Sequence, residues 1–307
     1  MTRLLWAYLG LLLLLPCLWA WLGERHWLLV LLRYLPAVCY LVPLLLILLV
    51  RRPLPPALVL LTLLVYLGLY SGLALNWPRS GQLKVLTWNI HAGVDGLKQV
   101  QETLLSQAAD IVLLQEARRP ARGGEDPLPR LTEGYHFARG GSAGELAILS
   151  RSPILRSGEL PSAGWRPGLF ADLDLGQARL RVINVHYLTG APGQHLGSSR
   201  QGRRAYLVST AEVRRQQTMA LEKALEGWTG GVLIGGDFNS PPGSFTHRRL
   251  SSRWHDSHAR AGLGFGLTYP ARTPLWRIDF LFSSMTPLSS LSLETQGSDH
   301  RIVVAEY

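Results

Sequence analysis

Hydrophobic residues are unevenly spread along the 307-residue chain. The first 75 positions are almost unbroken apolar sequence, divided into three runs: Leu4 to Leu22, Leu28 to Val50 and Ala57 to Leu75. Each approaches the ~20 residues that carry a helix across a bilayer. The pattern predicts three transmembrane helices, at about 4–22, 28–50 and 57–75, in a membrane region of residues 1–80. Arg33 falls inside the second run, where a charge is costly unless it reaches an interface. No small-residue cleavage site follows Trp21-Leu22, and two more runs come next, so the first run reads as an anchor and not a removed signal.

From residue 81 to 307 the apolar stretches become short and regularly interrupted, which predicts one soluble domain with a sizeable core. Strands are expected at Leu83–Ile90, Asp110–Glu116, Leu146–Ser150, Leu169–Leu175, Ala178–Tyr187, Val232–Ile234, Trp276–Phe282 and Ile302–Ala305. Gly235 and Gly236 are expected to end the Val232–Ile234 strand in a sharp turn. Leu97–Ala108 reads as an amphipathic helix. A second helix is expected from Ser209, whose spacing to Glu212 is that of a capping box, to about Glu226. Arg118–Arg139 carries no pattern, and Leu188–Tyr206 reads as a long Gly/Ser-rich loop. Strands in consecutive groups, with few helices between, suggest packed sheets with helices outside, not a doubly wound parallel sheet.

Charge adds little to this picture. Six Arg and one Glu precede residue 81, and 25 Lys and Arg face 20 Asp and Glu after it. The mild basic excess is compatible with a phosphate-bearing substrate and equally with biased composition. Arg3, Arg51 and Arg52 would share one side of the membrane, and Arg25, Arg33 and Arg79 the other. That balance favours the first side as cytoplasmic and the soluble domain as extracytoplasmic. The only cysteines, Cys17 and Cys39, lie in the apolar region, so the soluble domain has no disulfide and no thiolate metal site.

Polar residues recur at the predicted strand ends: Asn89, Glu116, His186, Asp237, Asn239, Asp279, Asp299 and His300. Taken singly, each has an ordinary explanation. Asp-x-Asn is common in turns, and a lone strand-end histidine is more often a satisfied core residue. Taken together, they offer hard oxygen ligands, which suit Mg²⁺ or Mn²⁺ rather than structural zinc, and histidines for proton transfer. Neither a G-x-S-x-G nor a Walker A motif is present.

The motifs T-W-N-I, L-L-Q-E, I-N-V-H, G-G-D-F-N, R-I-D-F and S-D-H occur in the order seen in the endonuclease/exonuclease/phosphatase superfamily. The resemblance spans about Leu83 to Tyr307 and leaves the membrane region uncovered. It implies an α/β fold, a four-layered sandwich of two mixed β-sheets flanked by helices, with the active site at one end. It also implies roles. Glu116, Asn89 and Asp299 would hold the metal, and Asp237 would orient or deprotonate the attacking water. Asn239 would contact phosphate, and His186 and His300 would contact phosphate or protonate the leaving group. Asp279 would orient His300, and Glu145 would orient His186. Arg200, Arg203 and Arg204 in the loop could grip phosphate. The expected activity is metal-dependent phosphodiester hydrolysis, with nucleic acid favoured. A phospholipid headgroup at the bilayer is the alternative, since the linker from Leu75 to Lys84 is short. An inactive membrane interaction protein is a reading of another class.

Overall fold

The computed structural model describes residues 1–50, 53–118, 126–161, 166–176, 178–190 and 199–307. Arg51 and Arg52, on which the membrane orientation leaned, lie outside the described residues, as does the side chain of Arg200. The chain divides into two compact units: Met1–Leu73 with Ala191–Glu212, and Ala74–Gly190 with Val213–Tyr307.

In the first unit, Thr2–Leu22 is a 21-residue helix long and apolar enough to cross a membrane. Leu4, Trp6, Leu11, Leu13 and Leu14 stay exposed on it, unlike the core helix of a soluble protein. The other two runs differ from expectation. The second is broken into Trp27–Tyr34 and Ala37–Leu49, bent by 103°. Pro36 is the cause: it lacks an N–H and drives Leu35 to an extended conformation with ψ of 139°. The third forms only the 14-residue helix Pro56–Leu69. Its tail, Ala74–Leu75, instead pairs antiparallel with Leu263–Gly264.

The second unit holds two six-stranded mixed sheets flanked by helices. The first sheet runs, in spatial order, Ser289–Leu293, Ile302–Glu306, Lys84–Asn89, Ile111–Gln115, Leu146–Ser150 and His136–Gly140. The second runs His255–Asp256, Asp279–Ser283, Gly231–Asp237, Arg179–His186, Leu169–Asp174 and Ile154–Glu159. Each has one parallel pair: Lys84–Asn89 with Ile111–Gln115, and Arg179–His186 with Gly231–Asp237. A helix makes each parallel crossover, Leu97–Gln107 in the first sheet and Arg200–Ala224 in the second.

Alternation along the strands builds three apolar layers. Leu113, Ile148, Val182, Leu233 and Leu281 meet between the sheets. Val112 and Leu114, pointing the other way, pack with Val100 and Leu104 of the first crossover helix. Ile183 and Ile234 pack with Leu221 and Leu225 of the second.

Two local expectations are corrected. Gly235 and Gly236 do not end their strand, which runs to Asp237. Both sit where a Cβ would crowd its neighbours, against backbone at Gly236 and against side-chain tips at Gly235. A Cβ on Gly235 would meet Leu113 Cδ1 at 2.5 Å, and one on Gly236, where φ is +141°, would meet the Val185 carbonyl oxygen at 1.9 Å. The second crossover helix also begins earlier, at Arg200, within the expected loop. Ser199 is its N-terminal cap, since its Oγ accepts from Gly202 N–H at 3.1 Å. Ser209 and Thr210 are mid-helix and bond back to the Tyr206 carbonyl at 3.0 Å, so their hydroxyls need no capping role.

Candidate active site

Strand register places three acid–base residues in one row. In the second sheet His186 pairs with Asp237, and Asp237 pairs with Asp279. In the first sheet Asn89 pairs with Gln115, one residue before Glu116, at the same end of the sandwich. There Asp237 Oδ2 receives the Asn89 amide at 3.3 Å and lies 3.6 Å from His186 Nε2 and 3.8 Å from His300 Nε2. The Asn89 amide also donates to Glu116 Oε1 at 3.2 Å, and Glu116 Oε1 is 3.9 Å from His186 Nε2.

The backbone around these groups is unusual. Glu116 adopts φ of +54° and Asn239 φ of +47°. A non-glycine residue there costs about 1–2 kcal/mol, and such strain clusters at functional sites. At Glu116 it is held by flanking bonds, Ile90 N–H to Gln115 O at 3.0 Å and Ala117 N–H to Glu145 O at 2.8 Å. At Asn239 the N–H donates to Asp237 Oδ1 at 2.8 Å and the side-chain amide to Tyr187 O at 3.1 Å. Among the described residues, one amide hydrogen of Asn239 has no acceptor and can meet a ligand. Ser298 ties the closing segment to the first sheet: its Oγ donates to Asn89 O at 2.6 Å and accepts from His300 N–H at 3.1 Å.

Charge is distributed asymmetrically. Burial disfavours the His300 imidazolium, but Asp279, with Asp237 and Asp299, outweighs it and pushes the group up to about 10. Asp279 Oδ2 lies 3.0 Å from His300 Nδ1, which fixes the ring. Burial, then the neighbouring Asp279 carboxylate, raises the Asp237 carboxyl, with His300 and His186 pulling the other way. Burial would raise Glu145, but His186, Arg166 and Arg118 outweigh it and lower it. Glu145 Oε2 is 3.4 Å from His186 Nδ1, while Arg166 Nη1 faces His186 Nε2. A guanidinium only donates, so Nε2 accepts and Nδ1 carries the hydrogen toward Glu145.

The structure therefore gathers Asn89, Glu116, Glu145, His186, Asp237, Asn239, Asp279 and His300 at one end of the sandwich. Asp299 stands beside His300, with Oδ1 3.8 Å from His91 Nδ1. Arg203 and Arg204 belong to the first compact unit, not the one holding the cluster, and Arg204 lies over the Trp27 ring at 4.3 Å. Sequence reasoning missed His91, Asp95, Arg166 and Tyr269. His91 directly follows T-W-N-I and could have been found as another strand-end polar residue; its Nδ1 is 2.6 Å from Asp95 Oδ2. Tyr269, whose ring centroid is 4.8 Å from that of His300, and Arg166 carry no local signal.

The donor set fits a hard divalent cation. Glu116 and Asp299 offer carboxylate oxygens, and their side chains remain 27% and 39% exposed. Among the described residues, the only ion-pair partner of Glu116 within 4.0 Å is His186. Two groups, His91–Asp95–Asp299 and Asp237–Asp279–His300, bring ligating atoms within 4.8 Å of one another.

Comparison with known proteins agrees with this fold. The sequence pattern of the Endonuclease/Exonuclease/phosphatase family matches residues 86–300. No curated protein matches the sequence. Among solved structures, the chain is similar to a 3′-5′ exonuclease from Neisseria meningitidis at 22% identity and a TM-score of 0.56, covering 73% of this chain and 99% of that one. It is similar to a mannosyl-6-phosphatase from Bacteroides thetaiotaomicron at 18% identity and a TM-score of 0.56, with the same coverage, 73% and 99%. A functionally unknown conserved protein from Enterococcus faecalis shares 19% identity with a TM-score of 0.57, covering 73% and 98%.

Proposed function

Because the chain belongs to the endonuclease/exonuclease/phosphatase family, we propose that it is a divalent-metal-dependent phosphoester hydrolase acting on phosphodiesters, with nucleic acid as the first substrate to test. The observation that carries this reading is the position of Asp237 Oδ2, within 4 Å of Asn89 Nδ2, His186 Nε2 and His300 Nε2. A buried carboxylate flanked by the Asn89 amide and the His300 ring is suited to orient a water and take its proton.

In this reading Glu116 and Asp299 hold Mg²⁺ or Mn²⁺, and Asn89, expected as a ligand, orients the Glu116 carboxylate through its amide N–H. When bound, the ion neutralises phosphoryl oxygens and the charge that develops on them. Asp237 fixes the attacking water, and its raised affinity for a proton makes it the base. His300, kept charged by Asp279, faces the phosphate as a cation and proton donor. The remaining Asn239 N–H binds a non-bridging oxygen, and Glu145 and Arg166 set the His186 ring beside it.

The Neisseria 3′-5′ exonuclease of the same fold supports nucleic acid as substrate, and the Bacteroides mannosyl-6-phosphatase supports phosphate esters more broadly. A membrane-borne ester is the second reading, favoured by the exposed leucines of Thr2–Leu22. We propose that the N-terminal region anchors the chain in a bilayer through Thr2–Leu22, with the catalytic unit on the extracytoplasmic side. The test is fractionation of cells producing the full chain, then hydrolysis by the detergent-purified protein with Mg²⁺, Mn²⁺ or EDTA. Release from membranes by alkaline wash would overturn the anchor, and metal-independent or absent hydrolysis would overturn the activity.

A further inference from the structure

Beneath the candidate site, the apolar layer between the sheets is interrupted by three polar side chains. Gln115, Asn184 and Thr87 are each fully buried, at 0% exposure. Their surroundings are leucine, valine and isoleucine, among them Leu113, Ile148 and Val182. Gln115 belongs to the first sheet and Asn184 to the second. Gln115 Nε2 donates to Asn184 Oδ1 at 2.7 Å and to Thr87 Oγ1 at 3.1 Å. The Asn184 amide reaches back across the gap and donates to Leu114 O at 2.8 Å and Ala147 O at 2.9 Å. Leu114 and Ala147 are register partners in adjacent strands of the first sheet.

Buried amides in an apolar layer are costly, and an apolar pair of similar volume would serve stability as well. Gln115 Oε1 has no partner among the described residues, which adds to that cost. Stability alone therefore does not account for the pair. Its place in the chain does. Gln115 immediately precedes Glu116, and Asn184 stands two residues before His186. Leucine layers tolerate small sliding, whereas directional bonds do not.

We infer that Gln115 and Asn184 form a cross-sheet amide bridge that sets the spacing between the Asn89–Glu116 half and the His186–Asp237 half of the site. They are positioning residues for the hydrolysis proposed above, and the inference rests on that reading. The spacing they govern is short: Glu116 Oε1 to His186 Nε2 is 3.9 Å, and Asn89 Nδ2 to Asp237 Oδ2 is 3.3 Å.

The test uses the full-length, detergent-purified protein with bis(p-nitrophenyl) phosphate and Mn²⁺. The double variant Gln115→Leu/Asn184→Leu removes both amides together, while Leu114 O, Ala147 O and Thr87 Oγ1 lose a donor, so a moderate fall in Tm accompanies it. The expected result is a folded variant with kcat lowered about 30- to 100-fold, the scale of a 1 Å misplacement. KM should change less than about 3-fold, because substrate binding groups are retained. Parental kcat in the folded variant would overturn the inference. Should the double variant not fold, Thr87→Val removes only a peripheral partner. A kcat drop of about 3-fold at unchanged Tm is then expected, and unchanged kcat overturns the bridge. If the parent hydrolyses nothing, the proposed activity fails by itself. The bridge is then read from crystal structures of parent and double variant, where an unchanged Glu116–His186 separation overturns it and a shift of about 0.5 Å or more supports it.

Discussion

Asp279→Asn is the perturbation that reads the charge logic of the site most clearly. Asp279 Oδ2 lies 3.0 Å from His300 Nδ1, and both side chains are buried. Burial opposes the His300 charge, and Asp279 is the largest influence holding that group up to about 10. An asparagine keeps the size and a hydrogen-bonding group but removes the charge. Without it, burial acts against only Asp237 and Asp299, and the imidazole falls back toward or below its unperturbed value of about 6.5. At pH 8 the charged fraction then drops from nearly complete to about 3%. That fraction sets the expected fall in kcat at pH 8 at about 30-fold, and more where the imidazole falls below about 6.5. The sign of the pH effect is definite: a proton donor is lost as pH rises through its pKa. The alkaline limb of the rate profile should therefore move from near 10 in the parent to well below 8 in the variant. Part of the lost activity should return on acidification toward pH 6. Asp237 is relieved of a like charge, which offsets part of the stability lost with the buried ion pair. The assay is kcat/KM against pH for phosphodiester hydrolysis, with a melting curve on the same preparation. A variant with parental turnover, or one reduced by the same factor at every pH, refutes the assigned role.

Three further outcomes follow from the fold. Gly236→Ala would place a Cβ 1.9 Å from the Val185 carbonyl oxygen at a φ of +141°, so a loss of about 3 kcal/mol or more is expected in urea unfolding. Parental stability would show that the strands part easily there. Asp256 is buried beside Arg277 and His247; burial would raise its carboxyl, but the Arg277 guanidinium and the His247 hydrogen bond outweigh it and hold it well below the usual range. A depressed carboxylate contributes stability above its unfolded pKa of about 3.9 and loses it as pH falls through the lower folded value. Asp256→Asn should therefore cost about 3 kcal/mol at pH 7 and progressively less on acidification below pH 4, and an equal loss at every pH contradicts the pairing. Ser199→Ala should cost about 1 kcal/mol by removing a helix cap, whereas Ser209→Ala should change stability by less than about 0.5 kcal/mol. The opposite order would restore Ser209 as the helix start.

Much of the second unit was legible because its central strands are buried on both faces. Ile111–Gln115 and Gly231–Asp237 read as short apolar runs closed by carboxylates, and the polar residues that end them are those the register assembles. Edge strands were not legible. His136–Gly140 and Ile154–Glu159 are mostly exposed, so neither alternation nor a continuous apolar run marks them. Gly235 and Gly236 looked like turn residues because sequence does not distinguish a glycine needed for φ from one needed for contact. The capping-box spacing at Ser209 misled because hydroxyls inside a helix satisfy themselves on the preceding turn. In the first unit, composition gave three spans of suitable length. Pro36 and the proline-bounded start at Pro56 shorten the regular helices the backbone can form. Arg166 illustrates the remaining limit: it faces His186 from a segment with no pattern, and only the folded chain brings the two together.

The most direct measurement is hydrolysis by the detergent-purified full chain, offered plasmid DNA, RNA and mixed phospholipid vesicles side by side, with Mg²⁺ or Mn²⁺ and with EDTA. The Asp237→Ala protein, shown to be folded by its melting curve, is the control. The account predicts metal-dependent cleavage by the parent, foremost of nucleic acid, abolished by EDTA and by Asp237→Ala. Release of lipid headgroups instead would keep the chemistry and move the substrate to the bilayer. Near-full turnover by folded Asp237→Ala, or no hydrolysis of any phosphoester by the parent, would contradict the account.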